Sequence, residues 1–243
     1  MTSSSSTETT ENVRAMYDQS DGFRVYKNKN IVFFGHDTMR SLYCDLARLL
    51  QTGNMLKNNS IKFHHTRHDP YVSNVMDDKW PIDVEWLKRI TEADQIDLVV
   101  TSCAYPDLCV RRLEKKNEKF DDKLPLFSSK LNYICSTFKS VFSHATMIWF
   151  PPLPTIRLDD GKQTDQFKQL VKTCFDIACT QHQFEYIKRC EDWINNYKIL
   201  YLKDECYMSG EALRELTTEL GEHMTIKWDR VLEIEPPYKR FKT

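Results

Sequence analysis

Apolar residues along this chain of 243 residues follow two alternating patterns. Short continuous apolar runs mark strands buried on both faces of a parallel sheet. Between them lie stretches in which apolar residues recur every three or four positions, as on amphipathic helices. Ile31-Val32-Phe33-Phe34 is the first run and ends at Gly35. Met39, Leu42, Tyr43, Leu46, Leu49 and Leu50 then predict a helix closed by Gly53. Ile61–His64 predicts a second strand, and Val84–Ile90, after Pro81 with Asp83 as cap, a helix. Ile96–Thr101 is another buried strand. Phe127–Val141 has helical spacing through Leu131, Ile134, Cys135 and Phe138. Thr146–Phe150 is a strand stopped by Pro151-Pro152, and Phe167 to about Ile194 reads as one long helix. Lys198–Leu202 supplies a fifth strand. Ser209 caps a last helix with Ala212, Leu213, Leu216 and Leu220 on one face and Gly221 as its stop.

Strands alternating with helices predict a doubly wound α/β fold of flavodoxin-like type, with about five parallel strands and helices on both faces. In such sheets functional groups gather beyond the carboxyl ends of the strands. Here those are 35–40, 64–71, 101–107, 150–154 and 203–208. Residues 1–22 are rich in Ser, Thr, Glu and Asp and read as a disordered tail, with order expected to begin near Phe23. The domain then spans 23–232, and 233–243 reads as an extended arm containing Pro236-Pro237.

Composition narrows the function classes. The net charge of −1, from 34 basic and 35 acidic side chains, argues against a broad nucleic-acid-binding surface. Arg111, Arg112, Lys115, Lys116 and Lys119 form a basic run, but Glu114, Glu118, Asp121 and Asp122 offset it, so a solvated helix is expected there. No apolar stretch reaches the roughly 18 residues of a membrane span, and the amino terminus has no apolar signal-peptide core. A cytoplasmic or nuclear protein without membrane attachment is expected. Cys44, Cys103, Cys135, Cys174 and Cys179 lie in apolar or helical stretches, and no C-x-x-C spacing occurs, so buried free thiols are expected and no structural metal.

Residues 33–51 read FFGHDTMRSLYCDLARLLQ. This block resembles the first block of the PC-esterase domain family, a branch of the GDSL/SGNH hydrolases, in which a strand ends in Gly-Asp-Ser ahead of Arg, Tyr, Asp-Leu and Leu-Leu-Gln. Gly35, Arg40, Tyr43, Asp45, Leu46, Leu49, Leu50 and Gln51 fall in register with it. Thr101-Ser102-Cys103-Ala104-Tyr105 resembles the family's Asn-Ser-Cys-Leu-Trp segment, and Ile148-Trp149 with Pro154 its Ile-Trp…Pro segment. Asp204 to Met208, with Ala212, Arg214, Leu216 and Thr217, resembles the closing Asp-Gly-Val-His-Trp block and its helix, and Trp228 falls where a family tryptophan ends that region.

The resemblance implies the SGNH fold, and with it a serine nucleophile, a histidine base oriented by an aspartate, and an asparagine oxyanion donor. This chain has Asp37 at the serine position, Tyr207 at the histidine position and Thr101 at the asparagine position; only the orienting Asp204 is kept. Loss of the nucleophile or base of a serine triad costs about a million-fold in turnover. The expectation is therefore a catalytically inactive PC-esterase-like protein, used as an interaction or scaffold module within an intracellular complex. No cofactor is implied. A vestigial pocket would be lined by Gly35, Asp37, Arg40, Thr101 and Tyr207 and could hold a partner's peptide or a small ligand. Four other readings stay open. Thr38 becomes the nucleophile if the register slips by one, although no base accompanies it. Asp37 with His36 could form a rebuilt hydrolase site. His64, His65, His68 and Asp69 could bind metal, although a strand-to-loop stretch does not converge histidines as a helix does. The basic run or carboxyl-terminal arm could make the chain an RNA-binding adaptor; through a protein complex, the association with RNA would be indirect.

Overall fold

The computed structural model describes residues 16–35, 37–55, 87–88, 92–102, 119–152, 161–187 and 208–228, with backbone alone at 37 and 161–163. Within these residues the chain is a mixed α/β structure built on a four-stranded parallel sheet. The strands are β1 (Ile31–Gly35), β2 (Leu98–Ser102), β3 (Thr146–Trp149) and β4 (Glu185–Tyr186), side by side in that order. The helices are α1 (Gln19–Tyr26), α2 (Asp37–Thr52), α3 (Phe120–Val141), α4 (Gly161–Phe175) and α5 (Gly210–Lys227).

Alternation along the strands divides the core into two layers. Leu98, Val100, Ile148 and Phe150 pack with Met39, Leu42, Leu46 and Leu49 of α2 and with Leu213, Leu216, Leu220 and Met224 of α5. Phe34, Val99, Met147 and Trp149 pack on the opposite face with Phe127, Leu131, Ile134 and Phe138 of α3 and with Phe167, Leu170 and Cys174 of α4. Every residue of β2 is buried, because helices cover both of its faces. Each large apolar side chain so covered contributes about 1.5–3 kcal/mol. The Phe34 ring sits 4.8 Å from that of Phe138, which fixes α3 over β1.

Several boundaries differ from the sequence expectation. Structure begins before Phe23: Asp18 caps α1, accepting from the Asp21 amide at 3.0 Å, while Asp21 accepts from the Asp18 amide at 3.1 Å. The helix expected from Phe127 starts at Phe120, with Asp121 and Asp122 in its first turn and Pro125 near its beginning. The long helix expected from Phe167 ends at Phe175 and passes into one wide turn, Asp176–Gln181. The His182 amide bonds to the Ile177 carbonyl and the Phe184 amide to that of Ala178, and Gln183 takes a left-handed φ of 59°. That reversal ends the helix and turns the chain into β4, so Phe184 and Ile187 reach opposite layers of the core. Gly221 does not stop α5, which continues to Lys227 with Trp228 as its carboxyl-terminal cap. The expected strands Ile61–His64 and Lys198–Leu202 lie outside the described residues, as does most of the Val84–Ile90 helix.

Candidate functional site

The carboxyl ends of β1 and β2 lie side by side next to the beginning of α2. Gly35 is the last residue of β1 and pairs with Ser102, while Phe34 pairs with Thr101. Gly35 has φ +146°, and a Cβ there would lie 2.0 Å from the Ser102 carbonyl oxygen. Only glycine permits both that backbone and that approach. The chain then enters α2 at Asp37, so the amides of the first helical turn and their partial positive charge stand at the strand ends.

Thr101 is buried between neighbours on both sides, pairing with Phe34 and with Trp149. Its carbonyl accepts the Phe150 amide at 2.9 Å. Ser102, also buried, directs its hydroxyl to the Pro151 carbonyl at 3.5 Å. Thr38 and Ser41 of α2 are buried, whereas Arg40 is half-buried and Tyr43 is exposed, its ring 5.9 Å from that of Phe33. The structure thus brings together Gly35, Thr101 and the helical turn that carries Asp37 and Arg40. Asp204, Tyr207, His36 and the His64–Asp69 cluster lie outside the described residues, as does the Asp37 side chain. Met208, next to Tyr207 in sequence, is buried against the α2–α5 layer.

One cluster joins residues that lie far apart in the sequence. Asp45 is fully buried between α2 and α5 and receives Nε of Arg214 on Oδ2 at 2.9 Å and Nη2 on Oδ1 at 3.3 Å. The Thr217 hydroxyl adds a bond to Oδ2 at 2.9 Å. Arg214 Nη1 also donates to the carbonyls of Gly53 at 3.2 Å and Tyr17 at 3.5 Å, and Nη2 donates to that of Asn54 at 2.8 Å. A two-point pair with these further bonds keeps both charges satisfied in a dry interface. Its sequence signal is a charge on an otherwise apolar helix face: Asp45 sits beside Leu42, Leu46 and Leu49, and Arg214 beside Leu213 and Leu216.

The described cysteines Cys44, Cys135, Cys174 and Cys179 are free thiols. Burial pushes the Cys135 thiol up to about 12, with Cys179 nearby adding to the effect. Burial also raises Cys179 to about 12 and Cys174 well above the ordinary range. Such thiols are poor nucleophiles at neutral pH. Among the described residues no group of three or more His, Cys, Asp or Glu is arranged to hold a metal ion. No helix among them is long and apolar enough to cross a membrane.

No family model matches the chain, and no curated protein matches it significantly.

Proposed function

We propose that the chain is a divergent PC-esterase-like protein with the flavodoxin-like SGNH fold, that it does not hydrolyse esters, and that it serves as an interaction or scaffold module in an intracellular complex. The observation that carries this reading is the replacement within the resembling sequence blocks: Gly35 keeps the tight turn out of β1, but Asp37 follows where the resemblance asks for a serine and Tyr207 is the residue where it asks for the base. Neither a carboxylate nor a phenol supplies a hydroxyl nucleophile paired with an imidazole. Two features support the reading. The parallel sheet places Thr101 next to the end of β1, where the resemblance asks for an oxyanion donor. The Asp45–Arg214–Thr217 cluster joins the first and last resembling blocks in space.

The test is turnover of short-chain acyl esters by the purified chain. The expected rate equals that of buffer, for the natural chain and for Asp37→Ala alike. Turnover above buffer that Asp37→Ala abolishes would overturn the proposal in favour of a rebuilt hydrolase site. A tagged chain isolated from its own cells is then expected to bring down a protein companion in stoichiometric amount. Binding to RNA that needs no companion and weakens steeply with salt would favour the adaptor reading instead.

A further inference from the structure

The helix α3 carries a second stripe on the side away from the sheet. Phe127, Leu131, Ile134 and Phe138 pack into the core, whereas Leu126, Ser129, Tyr133, Ser136 and Ser140 are all exposed. These five recur at intervals of three and four, the spacing of a seam that can lie along another helix. Leu126 and Tyr133, two turns apart, are 47% and 44% exposed, and the serines between them leave room for a partner's side chains. The Ser129 hydroxyl already donates to the Pro125 carbonyl at 3.1 Å, so covering it strands no donor.

The seam itself is uncharged and its rims are basic. Lys123 and Lys130 flank it on one side and Lys139 on the other, and α3 has no acidic residue after Asp122. Lys139 is fixed at its rim by the Gln183 carbonyl at 3.5 Å and by the Phe184 ring, 5.6 Å away. Asn132, on the same side, bonds to the His182 ring at 2.7 Å and adds no negative charge. Docking of a second copy through this face would set lysine against lysine. A phosphate backbone would match the lysines but leave Leu126 and Tyr133 without apolar contact. A helix with an apolar seam and carboxylates beside it satisfies both.

Building on the interaction-module reading, we propose that this face of α3 is the docking surface for an acidic amphipathic helix of a partner protein. Leu126 and Tyr133 are its apolar anchors, and the lysines select the sign of the partner's flanking charges.

Fluorescence anisotropy with synthetic helices tests this on the full chain. The probes are two peptides of about 21 residues, with leucine at the seam positions and either Glu or Lys at the flanking ones. The Glu peptide should bind at least about tenfold more tightly than the Lys peptide. Tyr133→Glu should weaken its binding by about tenfold or more. Lys123→Glu combined with Lys130→Glu should turn the preference toward the Lys peptide. These positions are partly or fully exposed, and circular dichroism checks that each variant keeps its fold. If Tyr133→Glu does not, Leu126→Glu replaces it. Equal binding of the two peptides, no binding at about 1 mM, or binding indifferent to these substitutions overturns the proposal. So does tighter binding to vesicles of phosphatidylcholine and phosphatidylserine, or a concentration-dependent dimer that Tyr133→Glu abolishes. The peptides decide this surface, while the companion isolated from cells decides the module reading, so failure of one is distinguishable from failure of the other.

Discussion

At Gly35 one missing methyl group decides whether β1 can hand the chain to α2. The backbone there has φ +146°, and the Ser102 carbonyl occupies the place a side chain would take, 2.0 Å from its Cβ. An added carbon therefore meets backbone on a central, fully buried strand rather than the movable end of a side chain. Gly35→Ala should destabilise the chain by at least about 3 kcal/mol, combining the unfavourable φ with displacement of the β1–β2 ladder. Urea unfolding followed by circular dichroism measures this; a loss below about 1 kcal/mol would mean that the turn relaxes freely. Burial makes the opposite contribution at Cys135 and Cys179: it keeps their thiols protonated and chemically quiet, as their apolar sequence surroundings predict.

At the scale of elements, β4 is the strand with least pairing, two residues long and attached to β3 alone among the described strands. Glu185 ties it to α5. Its carboxylate accepts from His223 Nε2 at 2.7 Å and pairs with Lys227 Nζ at 2.6 Å. Burial by itself raises the Glu185 carboxyl, but the bonds from Lys227 and His223 outweigh it and hold the group below its ordinary 4.5. A carboxyl depressed in the folded state gives stability that is fully present above the ordinary value and is lost as pH falls through the folded one. Glu185→Gln should therefore cost about 0.5–1 kcal/mol near pH 7, the scale of a partly exposed ion pair. The gap between variant and natural chain should narrow as pH falls below the ordinary carboxyl value of 4.5 and close once the folded-state carboxyl is protonated, when unfolding midpoints are compared across pH. A gap that persists at low pH would assign the effect to packing.

The same elements show what the sequence reveals and why it stops. β1, β2 and β3 were legible because continuous apolar runs such as Leu98-Val99-Val100 have no other stable place than between two helical layers. β4 was not, because two residues carry no periodicity and the apolar spacing of α4 runs on into the wide turn without a break. Gly221 was misread as a stop since glycine after an apolar face usually is one. Its actual reason, the Tyr17 ring, comes from the other end of the chain. Within the candidate site, the meeting of Gly35 and Thr101 followed from the strand-end rule. The placement of Asp204 and Tyr207 lies outside the described residues, so their part of the site rests on the resemblance.

For the whole molecule, the Asp45–Arg214 pair sets how α2 and α5 are joined. It lies wholly in the interface between α2 and α5, and its partners extend to Tyr17, Gly53 and Asn54. Buried pairs repay their desolvation only when every polar atom is bonded, so removing one member leaves the other charged in a dry layer. Asp45→Leu should cost about 3–5 kcal/mol and shift the unfolding of the entire chain. Adding Arg214→Met removes the stranded charge and should recover part of that loss, because an apolar pair fits the surrounding leucines. Recovery should stop short by about 1–3 kcal/mol, since the carbonyls of Gly53 and Asn54 then lose their donor. A double-mutant cycle read by chemical denaturation separates the two contributions. If Asp45→Leu alone costs less than about 1 kcal/mol, the pair is not what fastens α2 to α5. If instead the double variant is no better than the single one, the carbonyl bonds of Arg214 carry the junction and the ion pair is secondary.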